Sequence, residues 1–220
     1  MTDKPIIFSA PMIRALLDGR KTQTRRVLKP QPNADRIFWV HDGEHWLWAN
    51  NDGDSGSANV QFAPSDRLWV REAWSGDHEF RDTPPAQRVN WAWEGVPHLR
   101  ESIWYWADGA PEFGDWEKPR PSIHMPRWAS RLTLIVTDVR VQRLLEISAQ
   151  DAESEGVFRH VAEHSLNKVF RSERGTVAVE YFRDLWNSLH GPDAWDANPW
   201  VVALTFTVHR GNIDQMGVPA

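Results

Sequence analysis

Leu16-Leu17-Asp18-Gly19-Arg20-Lys21-Thr22-Gln23-Thr24-Arg25-Arg26 is the stretch on which the reading of this chain turns. Upstream of it Ser9 can cap a helix, Pro11 suits a first turn, and Met12, Ile13, Leu16 and Leu17 recur at helical spacing until Gly19. Four cations and two hydroxyls then fall between Gly19 and Arg26. Like charges repel, so a folded chain keeps them together where carboxylates or an anionic ligand answer them. The plain alternative is a solvated helix exit. The functional reading needs Lys21 partly desolvated, which lowers its pKa and lets it act as a base toward a neighbouring hydroxyl such as that of Thr24. A regular strand would put Lys21 and Thr24 on opposite faces. The functional reading therefore requires irregular backbone just after Gly19.

The second stretch is Ser148-Ala149-Gln150-Asp151-Ala152-Glu153-Ser154-Glu155-Gly156. Its opening has capping-box form and Gly156 closes it, so a short helix is expected with Glu155 in the last turn. Carbonyl ends already make that end negative, which disfavours an ionised carboxylate there. Such a place suits a proton-shuttling acid balanced by a cation such as Lys21, against the alternative of an exposed surface glutamate.

Around these two segments the chain reads as one α+β domain, a small mixed barrel with flanking helices. A hairpin is expected from Ile37–Val40 and Trp46–Ala49, a loop over 50–59, and a charged strand from Arg67 to Trp74. A Trp-rich insertion spans about 75–121, with Trp91/Trp93 and Trp104/Trp106 alternating as a further hairpin. A long β segment runs from Leu132 to Leu144. A polar connector over 158–174 leads to an amphipathic helix on Val177, Ala178, Tyr181, Phe182, Leu185, Trp186 and Leu189. Trp200, Val202, Leu204, Phe206 and Val208 alternate as a final strand with one buried face, and a loosely held tail follows from Arg210. Strands with isolated helices and no βαβ rhythm argue against a doubly wound sheet.

Composition narrows the function classes. The net charge of -5 opposes tight non-specific binding to a polyanion, and the absence of cysteine removes disulfides, thiolate nucleophiles and cysteine zinc sites. No apolar run has signal-peptide or membrane-spanning form, so a cytoplasmic location is expected. Fourteen tryptophans serve either an aromatic core or a surface that stacks flat ligands. His160-Val161-Ala162-Glu163-His164 fits an inverted zinc-peptidase pattern but sits in a polar connector without helical periodicity, and His41, Asp42, Glu44 and His45 read as turn chemistry. No metal and no cofactor are expected. Asp66, Arg71 and Glu72 form a second charged group, in which pleat alternation turns one of Arg71 and Glu72 inward unless the strand bulges. Arg127 and Arg131 flank Trp128 and could meet a phosphate or a base plane, or simply pack at a strand entry.

The blocks Leu16–Arg26, Asp66–Trp74, Ile147–Val157 and the last strand, in that order, resemble the ASCH family of the PUA-like superfamily, in its longer phage and prophage branch. The resemblance implies a PUA-like barrel with a cleft for a nucleoside or base. It further implies the activity of small bacterial relatives, metal-independent amidohydrolases that cleave N(4)-acetylcytidine. Their catalytic positions match Lys21, Thr24 and Glu155: Lys21 activates Thr24, Thr24 attacks the amide carbonyl, and Glu155 handles the proton of the leaving amine. Arg25, Arg26, Asp66, Arg71, Glu72, Trp74 and Arg127 are the candidate substrate-binding residues. The small relatives lack the insertion and the connector. Other relatives are linked to RNA, so a reader of RNA or of a modified base in DNA is the rival expectation, with RNA or single-stranded nucleic acid as its partner, and a metal-independent ribonuclease a third.

Overall fold

A computed structural model describes residues 2–41, 45–88, 102–157 and 171–216, with the backbone alone for 171–176. The fold is mixed α/β, with several sheets and few helices. It divides into two compact units: residues 1–19, 65–135 and 207–220 in the first, 20–64 and 136–206 in the second. Trp91, Trp93, the zinc-like motif at 160–164, and Asp42 and Glu44 fall outside the described residues.

In the first unit β1 (Asp3–Ile7) runs parallel to β6 (Arg67–Arg71), which pairs antiparallel with the start of β9 (Leu132–Arg143). Helix α1 (Ala10–Leu17) carries Pro in its first turn, buries Ile13, Ala15 and Leu16, and ends before Gly19, whose φ of +71° suits a residue without a side chain. The charged stretch breaks after β6, so that β7 (Trp74–Gly76) leaves to pair with β8 (Ile103–Tyr105). Trp104 thus pairs its strand with β7, at Ser75. Trp74, Ile103, Met125 and Ala129 form the small core beneath this pair.

Glu117 holds the insertion together. Its carboxylate takes hydrogen bonds from Arg88 (2.7 and 3.1 Å) and from Arg120 (3.0 and 3.3 Å). The Gly76 amide adds a 3.2 Å bond to Oε2. A side chain at Gly76 would drive into the Arg88 guanidinium and lie 2.8 Å from Glu117 Oε2, so glycine here makes room for the ion pair. The tail expected to be loose is instead anchored as far as 216. Asn212 Nδ2 donates to the carbonyls of Arg127, Trp128 and Ser130, and Ile213 is fully buried. Three satisfied backbone acceptors and one apolar anchor explain the difference.

In the second unit β2 (Gln23–Val27) pairs antiparallel with β10 (Trp200–Arg210). β3 (Arg36–Val40), β4 (His45–Ala49) and β5 (Ser55–Ser57) form a meander, so part of the expected 50–59 loop is strand, with the Trp48 indole packed over Gly56 where a Cβ would sit. Helix α2 (Ala149–Ser154) starts at Ser148, whose side chain accepts from the Asp151 amide. Helix α3 (Arg171–His190) begins six residues earlier than the apolar pattern showed, because its first turns carry Arg, Ser and Glu in place of apolar residues. From Trp200 to Leu204 β10 is buried at every position, a correction to the expected single buried face. Val201 joins Leu144, Ile147, Ala152, Ala178, Phe182, Trp186 and Trp195 in the core cluster, which covers the side that alternation had assigned to solvent.

Many of the tryptophans are structural. Trp74, Trp186, Trp195 and Trp200 are buried, and Trp39 packs edge-on against Trp46 at 5.4 Å across the hairpin.

Burial works against the Glu117 charge, but hydrogen bonds from Arg88 and Arg120 outweigh it and bring its pKa from 4.5 down to about 2. A carboxylate lowered on folding contributes stability above its unfolded value and loses it as the pH falls toward its folded one. Glu117→Gln is expected to cost about 3 kcal/mol at neutral pH, because Arg88 is left buried without its counter-charge. It should also flatten the loss of stability between pH 4.5 and about 2. Denaturant titrations across that range check both, and an unchanged acid slope would contradict the assignment.

Candidate functional site

Residues 20–22, between α1 and β2, belong to neither helix nor strand, which is the irregular backbone that the functional reading of Lys21 requires. Two backbone bonds hold this segment: Thr22 N donates to Ser154 O, and Phe206 N donates to Thr22 O, both at 2.9 Å. Arg20 Nη1 reaches Gly156 O. The helix exit and the end of α2 are thereby laced together, and Lys21 is turned into the second unit with no solvent exposure.

Lys21 Nζ donates to Glu155 Oε2 at 2.7 Å, to Gln23 O at 2.9 Å and to Glu155 O at 3.0 Å. Glu155 is the C-terminal cap of α2 and is 5% exposed, so it is no surface glutamate. Its other oxygen accepts from Arg25 Nη1 at 3.0 Å. Burial pushes the Lys21 pKa down from 10.5, against the Glu155 carboxylate, which raises it, while Arg26 and Arg25 push the same way as burial. Arg25 Nη1 also meets Gln23 Oε1 at 2.6 Å, and Nη2 meets Asp151 Oδ2 at 2.9 Å. Gln23 and Arg140 hold Asp151 Oδ1 at 3.1 Å each. Burial alone would raise the Asp151 pKa, yet the Arg140 hydrogen bond and the Arg25 charge bring it below the usual carboxylate value.

The cluster is thus a ladder of alternating charge running from Lys21 through Glu155, Arg25 and Asp151 to Arg140. Arg25 Nε is buried with no acceptor among the described residues, and the guanidinium lies 5.9 Å from the Phe182 ring centre. Sequence reasoning missed Gln23, Asp151 and Arg140 in this set. The signal was there for Gln23: it stands two residues before Arg25, and the β pleat puts both on one face. That same alternation turns Thr24, 3% exposed, to the other face of β2. The structure therefore brings Lys21 and Glu155 into contact and adds Arg25, while the Thr24 hydroxyl has no hydrogen-bond partner among the described residues. Arg26, half-buried, pairs with Val202 in the β ladder, and burial lowers its pKa against the opposing charge of Glu155.

The remaining candidates belong to the first unit and have partners there. Asp66 accepts from the Thr2 amide, the Thr2 hydroxyl and Lys4. Arg71 Nε donates to Met125 O and its guanidinium covers the Trp69 ring at 4.9 Å. Of the two adjacent charges Glu72 is the one turned inward; burial raises its pKa, opposed by the fork of Arg131 at 2.9 and 3.0 Å. Trp74 is fully buried in the small core. Arg127 binds Asp214 and Asp3. Each of the five thus has partners or packing within its own unit.

Among the described residues no group of three or more His, Asp or Glu is placed to hold a metal ion, and no helix is long and apolar enough to cross a membrane. No family model, no curated protein and no solved structure matches the chain.

Breaking one side of a buried ion pair leaves the other charge uncompensated, at about 3–5 kcal/mol. Lys21→Met and Glu155→Gln are each expected to cost that much. In a double-mutant cycle the pair should show a coupling of about 2 kcal/mol or more. Additive losses would mean that the two side chains do not interact.

Proposed function

We propose that this chain is a metal-independent amidohydrolase of the PUA-like, ASCH type, acting on an N(4)-acylated cytosine base or nucleoside. The observation that carries the reading is the sealed 2.7 Å contact between the Lys21 ammonium and the Glu155 carboxylate. Moving one proton along that hydrogen bond yields a neutral amine and a carboxylic acid, the base and the acid that amide cleavage needs. Burial favours the uncharged pair, and the lowered Lys21 pKa points the same way.

In this scheme Lys21 as neutral amine takes the Thr24 hydroxyl proton while Oγ1 attacks the acyl carbonyl. The C–N4 bond then breaks as Glu155 gives its proton to the departing exocyclic amine. Water attacks the acyl-Thr24 ester and delivers one proton to Glu155, while the ester C–O bond breaks and the Lys21 ammonium returns its proton to Thr24 Oγ1, which releases the acid and restores the pair. Arg25 serves as a positioning residue: its two Nη atoms are taken up by Gln23, Glu155 and Asp151, so it fixes the Glu155 carboxylate and is not free to meet a phosphate. That occupancy counts against the rival reading, in which Arg25 would contact a nucleic-acid strand. Since Lys21 Nζ already makes three hydrogen bonds, the attack requires one of them to be exchanged for the Thr24 hydroxyl when substrate binds.

Purified protein should release cytidine from N(4)-acetylcytidine, followed by chromatography. Thr24→Ala should lower kcat by about a thousandfold or more, as expected on loss of a nucleophile, with the fold intact by circular dichroism. The active pair holds one proton between Lys21 and Glu155, so the rate should fall as rising pH removes it, at a midpoint below the 10.5 of a free lysine, and Lys21→Arg should abolish release. Absence of release across a panel of acylated cytosine nucleosides would overturn the proposal.

A further inference from the structure

The first unit carries a cationic cleft that the hydrolase reading does not use. It has a volume of about 470 Å³ and is lined by His78, Arg81, Glu117, Lys118, Arg120 and His124. Its one acid is already spent: Glu117 is bound by Arg88 from below and by Arg120 at its side. Arg120 gives Nε and Nη2 to that carboxylate, so its fork is held rigid while Nη1 has no acceptor among the described residues. The main chain of Arg120 is fixed as well, by reciprocal hydrogen bonds with Trp74 at 2.8 and 3.2 Å. Lys118 and His124 stand exposed on the same wall.

Arg81 adds a third permanent charge. Its Nη1 lies 3.0 Å from His78 Nε2. The same Nη1 lies 3.4 Å from His78 Nδ1, which is itself 3.3 Å from the Asp115 carboxylate. The opposing acids Asp77, Glu79, Asp82 and Asp115 line a separate cavity of about 390 Å³ that shares His78 and Arg81. Asp82 lies 3.6 Å from Arg81 Nε and draws on part of its charge.

We propose that this cleft binds a phosphate group, with Arg120 Nη1 as the fixed donor and Lys118, Arg81 and His124 closing on the other oxygens. A tetrahedral anion with several acceptors suits one rigid guanidinium and mobile cations around it. The size of the cleft exceeds that of a free phosphate and fits a phosphorylated nucleoside or one linkage of a strand. The site is formed within the first unit, and its test does not depend on whether the hydrolase reading holds.

The test is calorimetric titration of the full chain with inorganic phosphate, with a nucleoside monophosphate and with a short single-stranded oligonucleotide. The wild type should bind phosphate saturably and more weakly at high salt. Arg81→Ala/Lys118→Ala removes two exposed side chains, should keep the wild-type circular dichroism and melting temperature, and should weaken phosphate by roughly tenfold or more. Tighter binding of the monophosphate than of inorganic phosphate would identify a nucleotide as the source of the group, and tighter binding of the oligonucleotide a phosphodiester. No saturable phosphate binding by the wild type, or equal affinity in the folded double variant, would overturn the proposal.

Discussion

The ion pair between Lys21 and Glu155 is the constraint around which the second unit is arranged. A fully buried ammonium and a buried carboxylate are each costly to remove from water, and each is tolerable because the other is within 3 Å and further groups satisfy what remains. Their meeting joins a segment that leaves α1 to the C-terminal turn of α2, more than 130 positions later. Arg25 and Asp151 extend the pairing, so β2 is held to α2 by charge, while Ala152 shares an apolar cluster with Phe182 and its neighbours on α3.

Such a cluster is a poor stabiliser relative to packed hydrocarbon. What it supplies is a lysine pushed toward neutrality and an acid fixed beside it. Both are properties that a purely structural pair can share, and the difference lies in whether a proton can be passed on to a third group. Thr24 is three residues from Lys21 and buried, but it occupies the opposite pleat from Gln23 and Arg25. Chemistry at this site therefore depends on Lys21 exchanging one of its present acceptors for the hydroxyl.

Much of this was legible in the chain because it rests on local rules. Gly19 at positive φ, Ser148 as a cap and Gly156 after α2 follow from the conformational preferences of single residues, and they place Lys21 and Glu155 at the ends of their helices. The charge density between Gly19 and Arg26 announced that carboxylates must answer it, and Glu155 and Asp151 do. What local rules could not show was partner choice over distance. Arg71, Glu72 and Arg127 read more readily as structural than as ligand-facing, but nothing local named their partners, which are Met125, Arg131, Asp3 and Asp214. The anchoring of residues 211–216 escaped for the same reason: its acceptors lie more than 80 positions away. The β1 strand was missed because Asp3, Lys4 and Pro5 lack β patterning, and parallel pairing with β6 overrides that weak local preference.

The protonation of Lys21 tests the central claim most directly. Isotopic labelling of lysine and a pH titration by nuclear magnetic resonance, with Lys21→Arg to assign the signal, would follow its side chain in the folded protein. The account predicts a midpoint below the ordinary 10.5, because burial outweighs the neighbouring carboxylate. A midpoint at or above 10.5 would show a charge held permanently by its partner, an ion pair that braces the fold and passes no proton.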